Sequence, residues 1–250
     1  MALLHIDSYS DALGRSVRLD AIIPEGKPGP WRTLVLLHGM TDDHSIWQRR
    51  TSVERYAEER GMAVIMPGTK LGFYTNTQAG ERYFDYVAVE LLKICRRMLP
   101  KLSARREDTF VAGLSMGGYG ALKCALLHPE SFSKAAAFSA ATDICALKDA
   151  PRTQEAWYRD TFGENPEGTE NDLFHAARAL KKDRPEIFMW CGTEDFLYEM
   201  NLRMRDHLKK LGYRLKYTET PGDHLWMYWD REIINAMNWM LGGKEEWEWV

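Results

Sequence analysis

Apolar residues in this chain fall into two patterns. Short unbroken runs, such as Thr33-Leu34-Val35-Leu36-Leu37, alternate with longer stretches in which apolar residues recur every three or four positions. An unbroken run suits a strand covered on both faces, and the wider spacing suits a helix with one buried stripe. Strands are predicted at 33–37, 63–66, 109–113, 134–139, 186–191 and 214–218. Helices are predicted between them. One runs from the capping box Thr51-Ser52-Val53-Glu54 to Gly61. A second covers 81–99, with Val87, Leu91, Ile94, Cys95 and Met98 on one face and Pro100 as its stop. Others cover 115–127, 197–211 (Met200, Met204, Leu208, Leu211) and 225–241. The opening segment, up to the turn cluster Gly26–Pro30, reads as an antiparallel hairpin broken at Asp11–Gly14.

Strand and helix alternate through most of the chain, which predicts an α/β fold: a mostly parallel central sheet with helices on both faces. The polar stretch 140–184 breaks the rhythm just before the 186–191 strand. It reads as a small, lid-like insertion in a single domain spanning 1–250, either touching substrate through Trp157, Tyr158, Phe162 or Phe174 or elaborating the surface. In such sheets, ligands bind at the carboxyl ends of the strands, so residues just after each strand are the candidates for chemistry.

Composition narrows the classes. The 250 residues carry a net charge of −3 with both signs mixed, and 45% are apolar. Nothing here favours nucleic acid or a membrane surface as partner. No apolar stretch has the length of a membrane span. The segment Met1–Asp7 lacks a charged start and a long apolar run, so the expectation is a cytoplasmic protein. Cys95, Cys124, Cys145 and Cys191 include no Cys-x-x-Cys pair and read as thiols.

Gly113-Leu114-Ser115-Met116-Gly117 lies between a predicted strand and a predicted helix, where Gly-x-Ser-x-Gly forms a nucleophile elbow. Such a turn strains the serine backbone, needs small neighbours, and aims Oγ into the cleft. It also leaves the Met116 N–H at a helix N-terminus, available to an oxyanion. A serine needs a base held by a third group. Of the two histidines beyond the late strands, His207 falls inside a predicted helix, where a solvated face suits it. His224 lies in the turn Thr220–His224, from which a base can reach the elbow. For the acid, Glu194 and Asp195 both follow the 186–191 strand. Asp195 is favoured because Gly-x-x-Asp after this strand is the commoner arrangement, although it could instead cap the next helix. Asp223, adjacent to His224, would point away from its ring.

His38-Gly39-Met40 follows the first central strand, and the Met40 N–H is the expected second oxyanion donor. His38, Trp47, Tyr74 and Trp226 are candidate pocket residues, each equally readable as packing; His38 also reads as a brace for its loop. Asp42, Asp43 and His44 lack the spacing of a metal site, and neither metal nor cofactor is expected.

Leu-His-Gly-Met-Thr at 37–41, Phe-Val-Ala-Gly-Leu-Ser-Met-Gly-Gly-Tyr-Gly at 110–120, Trp-Cys-Gly-Thr-Glu-Asp-Phe-Leu-Tyr at 190–198 and His-Leu-Trp-Met-Tyr-Trp at 224–229 resemble the tributyrin esterase family. That family sits in the esterase D group of α/β-hydrolases, with S-formylglutathione hydrolases, feruloyl esterases and acetylxylan esterases. The resemblance covers nearly the whole chain. It implies a Ser115–Asp195–His224 triad, Met40 and Met116 amides as oxyanion hole, and a serine carboxylesterase acting on short acyl esters, acetyl or feruloyl esters of plant carbohydrates included. It also implies frequent homo-oligomers, and Trp247-Glu248-Trp249-Val250 reads as a subunit contact. The segment after His38-Gly39 departs from the S-formylglutathione hydrolase pattern, which points away from that thioester. The alternatives are an acyltransferase on the same fold and a non-catalytic carbohydrate- or partner-binding module.

Overall fold

The computed structural model describes residues 1–150 and 153–243. Trp247–Val250 therefore lies outside the described residues.

Eight strands form one sheet. In chain order they are β1 (Ala2–Ser10), β2 (Arg15–Ile23), β3 (Thr33–Leu37), β4 (Ala63–Pro67), β5 (Thr109–Leu114), β6 (Lys134–Phe138), β7 (Glu186–Gly192) and β8 (Leu215–Thr220). Their spatial order is β1-β2-β4-β3-β5-β6-β7-β8. The β1–β2 hairpin is antiparallel and joins β4 antiparallel, while every pair from β4 to β8 is parallel. This is the predicted α/β-hydrolase arrangement, with the lead-in hairpin as one edge.

The continuous apolarity of the central strands has a direct structural cause: each alternates between two cores. Val35, Leu37, Val111, Ile187 and Met189 enter the core on one face, and Leu34, Leu36, Phe110, Phe188 and Trp190 enter the other. The first core is covered by the helical run 83–98 and by helices Met116–Leu127 and Tyr198–Lys210; the second by Ile46–Arg50, Val53–Arg60 and Trp226–Met240. Among the described residues no helix is long and apolar enough to cross a membrane. All four cysteines are free, and burial pushes the Cys95 thiol up to about 12.

Two local expectations are corrected. The capping box at 51–54 does not form. Thr51 Oγ1 donates to the Trp47 carbonyl at 2.5 Å and accepts the Val53 N–H at 3.2 Å, and Asp230 from the last helix takes the Ser52 N–H at 3.1 Å. A short helix running into this turn commits Thr51 before it can act as the cap. Met98 is 41% exposed, because it ends its helix beyond the edge of the core.

Segment 140–184 carries short helices at Ile144–Leu147, Glu155–Phe162 and Leu173–Ala179. Its aromatic residues pack inward: Phe162 and Trp157 lie against Phe73, at ring separations of 5.1 and 5.8 Å, and Tyr158 is buried. Asn171 fastens the segment to the helix that follows Ser115. Its Oδ1 accepts from Lys123 Nζ at 2.5 Å and Thr75 Oγ1 at 3.0 Å, and its carbonyl accepts from Tyr119 Oη at 2.8 Å. Lys123 is fully buried, and desolvation lowers its ammonium to about 8.

Candidate active site

Ser115 sits between β5 and the helix Met116–Leu127 with φ 53° and ψ −118°, a conformation that costs an L-residue energy and is held by its surroundings. Its N–H donates to the Phe138 carbonyl of β6 at 2.8 Å, and its carbonyl accepts from Ala141 N–H at 3.2 Å. The flanking glycines are a packing necessity. A Cβ at Gly113 would lie 2.3 Å from the Gly117 carbonyl oxygen, and one at Gly117 would lie 2.4 Å from that of Leu37. Any larger residue at either position would push the elbow out of its seat. Because Met116 begins the helix, its N–H belongs to the first turn, whose donors have no intrahelical acceptor.

Asp195 and His224 meet directly. His224 Nδ1 is 2.8 Å from Asp195 Oδ2, with the carboxylate side chain wholly buried and the imidazole 18% exposed. The other carboxylate oxygen accepts the Leu197 N–H at 2.9 Å. The two readings of Asp195 are thus compatible: one oxygen ties down the start of the next helix and the other holds the histidine. Glu194 has a different task. Its carboxylate accepts the Gly222 N–H and its own N–H donates to the Gly222 carbonyl at 3.0 Å, clamping the loop that presents His224. Asp223 accepts the His224 N–H at 2.6 Å. His207 is half-buried rather than solvated, with Nε2 3.0 Å from the Phe174 carbonyl.

The His224 ring lies between Phe196 and Trp229, at centroid separations of 4.6 and 4.8 Å. Trp229 Nε1–H donates to Ser139 Oγ at 3.1 Å, and Ser139 follows Phe138, whose carbonyl holds the Ser115 N–H. This relay places the imidazole on the same strand ends as the elbow. Among the described residues no hydrogen bond joins Ser115 Oγ to the ring; such bonds commonly tighten only when substrate arrives.

The candidate pocket residues separate into two groups. His38, Trp47 and Tyr74 are buried, which corrects the pocket reading for them. They secure three successive carbonyls at and just beyond the end of β3: Trp47 Nε1–H donates to Leu37 at 3.0 Å, Tyr74 Oη–H to His38 at 2.9 Å, and His38 Nδ1 lies 2.8 Å from that of Gly39. In a trans peptide the C=O and the next N–H point in opposite directions, so fixing the Gly39 carbonyl also fixes the direction of the Met40 N–H. Trp226 alone of the four remains half-exposed, edge-on to Trp47 at 5.1 Å. Among the described residues no three His, Cys, Asp or Glu side chains form a metal-binding group.

Burial lowers the His38 imidazole from 6.5 to about 4, and its Nε2 accepts the Thr69 N–H at 3.0 Å. The folded chain therefore holds this ring neutral while the unfolded chain protonates it first. Above pH 6.5 both states are neutral and the group contributes no pH dependence. As pH falls from 6.5 towards 4, folding stability should decline by up to about 3 kcal/mol from this group. Thermal denaturation across that window tests this: His38→Gln should flatten the decline, and an unchanged slope would contradict it.

The fold is that of the α/β-hydrolase esterases. The chain belongs to the family described as "Putative esterase", matched over residues 10–240. It is 31% identical to an acetyl esterase of Caldicellulosiruptor saccharolyticus, over 96% of this chain and 98% of that protein. It is similar in structure to a fluorophosphonate-binding serine hydrolase of Staphylococcus aureus with substrate bound (TM-score 0.88, 34% identity, 96% and 98% of the two chains). It is also similar to an S-formylglutathione hydrolase of Staphylococcus aureus (TM-score 0.86, 34% identity, with the same coverage). The protein is a carboxylic ester hydrolase.

Proposed function

We propose that the protein hydrolyses short-chain acyl esters through a covalent acyl-enzyme, with Ser115 as nucleophile, His224 as general base and acid, and Asp195 as the group that orients the histidine. The observation that carries this reading is the 2.8 Å Asp195–His224 bond between the loops after β7 and β8, together with a serine held at φ 53° on an elbow after β5 of the same sheet. Asp195 accepts from Nδ1–H, which leaves Nε2 unprotonated to take the Ser115 proton as Oγ attacks the carbonyl. The amides of Met40 and Met116 receive the developing oxyanion, and they are arranged before substrate binds: one by the three secured carbonyls, the other by the helix. Imidazolium then protonates the departing alcohol, and water attacks the acyl-enzyme in a second pass through the same steps. An alcohol in place of that water would give acyl transfer at the same serine.

Short acyl groups fit the way the loop at 68–80 is folded, with the aromatic side chains of Phe73 and Tyr74 turned into the core. The acetyl esterase relative points the same way. A fluorophosphonate probe tests the reading. Peptide mass mapping should find the adduct on Ser115 in the folded protein and none after heat denaturation. An adduct elsewhere, or hydrolysis that survives full labelling, would refute it.

A further inference from the structure

Seven large apolar side chains are prominently exposed among the described residues, and four of them lie beyond the carboxyl ends of the strands: Met40, Phe196 and Leu225 on the loops that follow β3, β7 and β8, and Met227 in the first turn of the helix Trp226–Met240. Phe196 is the most exposed at 65%, Met227 is 57% and Leu225 50% exposed, and the Phe196 ring lies 4.6 Å from that of His224. Exposed apolar area of this kind, concentrated around a candidate base, is costly in water and marks a place where something apolar docks. On the loops after β7 and β8 the charges have one sign: Glu194 and Asp223 are exposed there, and neither 192–199 nor 220–225 contains a lysine or arginine, the first cation after the latter being Arg231 on the last helix.

The chemistry of the reaction says which part of the substrate meets this surface. The histidine must deliver a proton to the leaving oxygen, so the alcohol portion of the ester has to lie on the imidazole side of the scissile carbonyl. From this we infer that Phe196, with Leu225 and Met227, is the wall that receives the alcohol portion, and that the substrates are esters of neutral apolar alcohols, aromatic or alkyl, in preference to anionic ones. The inference rests on the triad reading above. Phe196 acts as a specificity residue: its ring packs against the alcohol, and the flanking carboxylates repel an alcohol that carries negative charge.

Steady-state kinetics on phenyl acetate, ethyl acetate and 4-acetoxybenzoate, with wild type, Phe196→Ala and Phe196→Leu, test it. The alanine variant should raise KM for phenyl acetate about tenfold and lower the phenyl-to-ethyl ratio of kcat/KM by a similar factor, with the leucine variant recovering part of both. Wild type should turn over 4-acetoxybenzoate with a kcat/KM at least about tenfold below that of phenyl acetate, despite its better leaving group. An equal fall in kcat on all three esters would mean that Phe196 merely steadies His224, and would overturn the proposal. So would parity between the anionic and neutral aryl esters. Unaltered kinetics with a change in oligomeric state by light scattering would assign the surface to a subunit contact instead. Failure of the underlying reading looks different: wild type would then hydrolyse none of the three esters, or would do so without a fluorophosphonate-reactive Ser115.

Discussion

Ser115→Ala should lower kcat for p-nitrophenyl acetate by a factor on the order of 10⁴ to 10⁶. The substitution removes the only atom that forms the acyl bond and leaves Cβ in place. The elbow is held by backbone contacts, the Phe138 carbonyl on one side and Ala141 on the other, and not by the hydroxyl. Alanine takes up the same strained φ, so circular dichroism and thermal melting should stay close to wild type. What remains should be the slow attack of water on a carbonyl polarised by the oxyanion amides, with no burst of released alcohol. If more than about 1% of activity survived in a sample free of contaminating esterase, Ser115 would not be the nucleophile.

Much of this site is legible in the sequence, and the reasons differ from part to part. The central strands are readable because both faces are buried, which leaves unbroken apolar runs such as 33–37 and 109–114. The elbow is readable because its glycines have no substitute: the clashes at 113 and 117 are with backbone, which cannot yield. Position after a strand end is also readable, and it puts Asp195 and His224 on two loops whose side chains the fold brings to 2.8 Å of each other. What the order of residues does not encode is the direction of each side chain once there. His38, Trp47 and Tyr74 follow strands as a pocket would require, yet all three turn inward to hold successive carbonyls. The same limit applies to pairings distant along the chain. Glu194 with Gly222, Trp229 with Ser139, and Lys123 with Asn171 leave no local pattern. One signal could have sorted Glu194 from Asp195. The glycine at 222 sits beside the histidine, and its free N–H needs an acceptor from the facing strand end, so two adjacent carboxylates there have two separate tasks.

That division of labour gives the second large effect. Asp195→Asn keeps shape and volume but should lower kcat by about 10⁴, and the cause can be read from the partners. In the wild type, one carboxylate oxygen accepts the Leu197 N–H at 2.9 Å and the other faces His224 Nδ1 at 2.8 Å. An asparagine has one acceptor and one donor group to share between them. Leu197 can only donate, so the amide oxygen must turn to it and the NH₂ must turn to the imidazole. A donor at Nδ1 forces the proton onto Nε2, and the nitrogen facing Ser115 then cannot accept a proton from it. The loss should therefore fall on kcat much more than on KM, and fluorophosphonate labelling should slow in parallel because it needs the same base. Glu194→Gln serves as the contrast, since a glutamine oxygen can still accept the Gly222 N–H, and its loss should stay within about tenfold. If instead the glutamine variant were the inactive one and the asparagine variant retained most of its turnover, the acid that orients His224 would be residue 194 and the proton path would not run through Asp195.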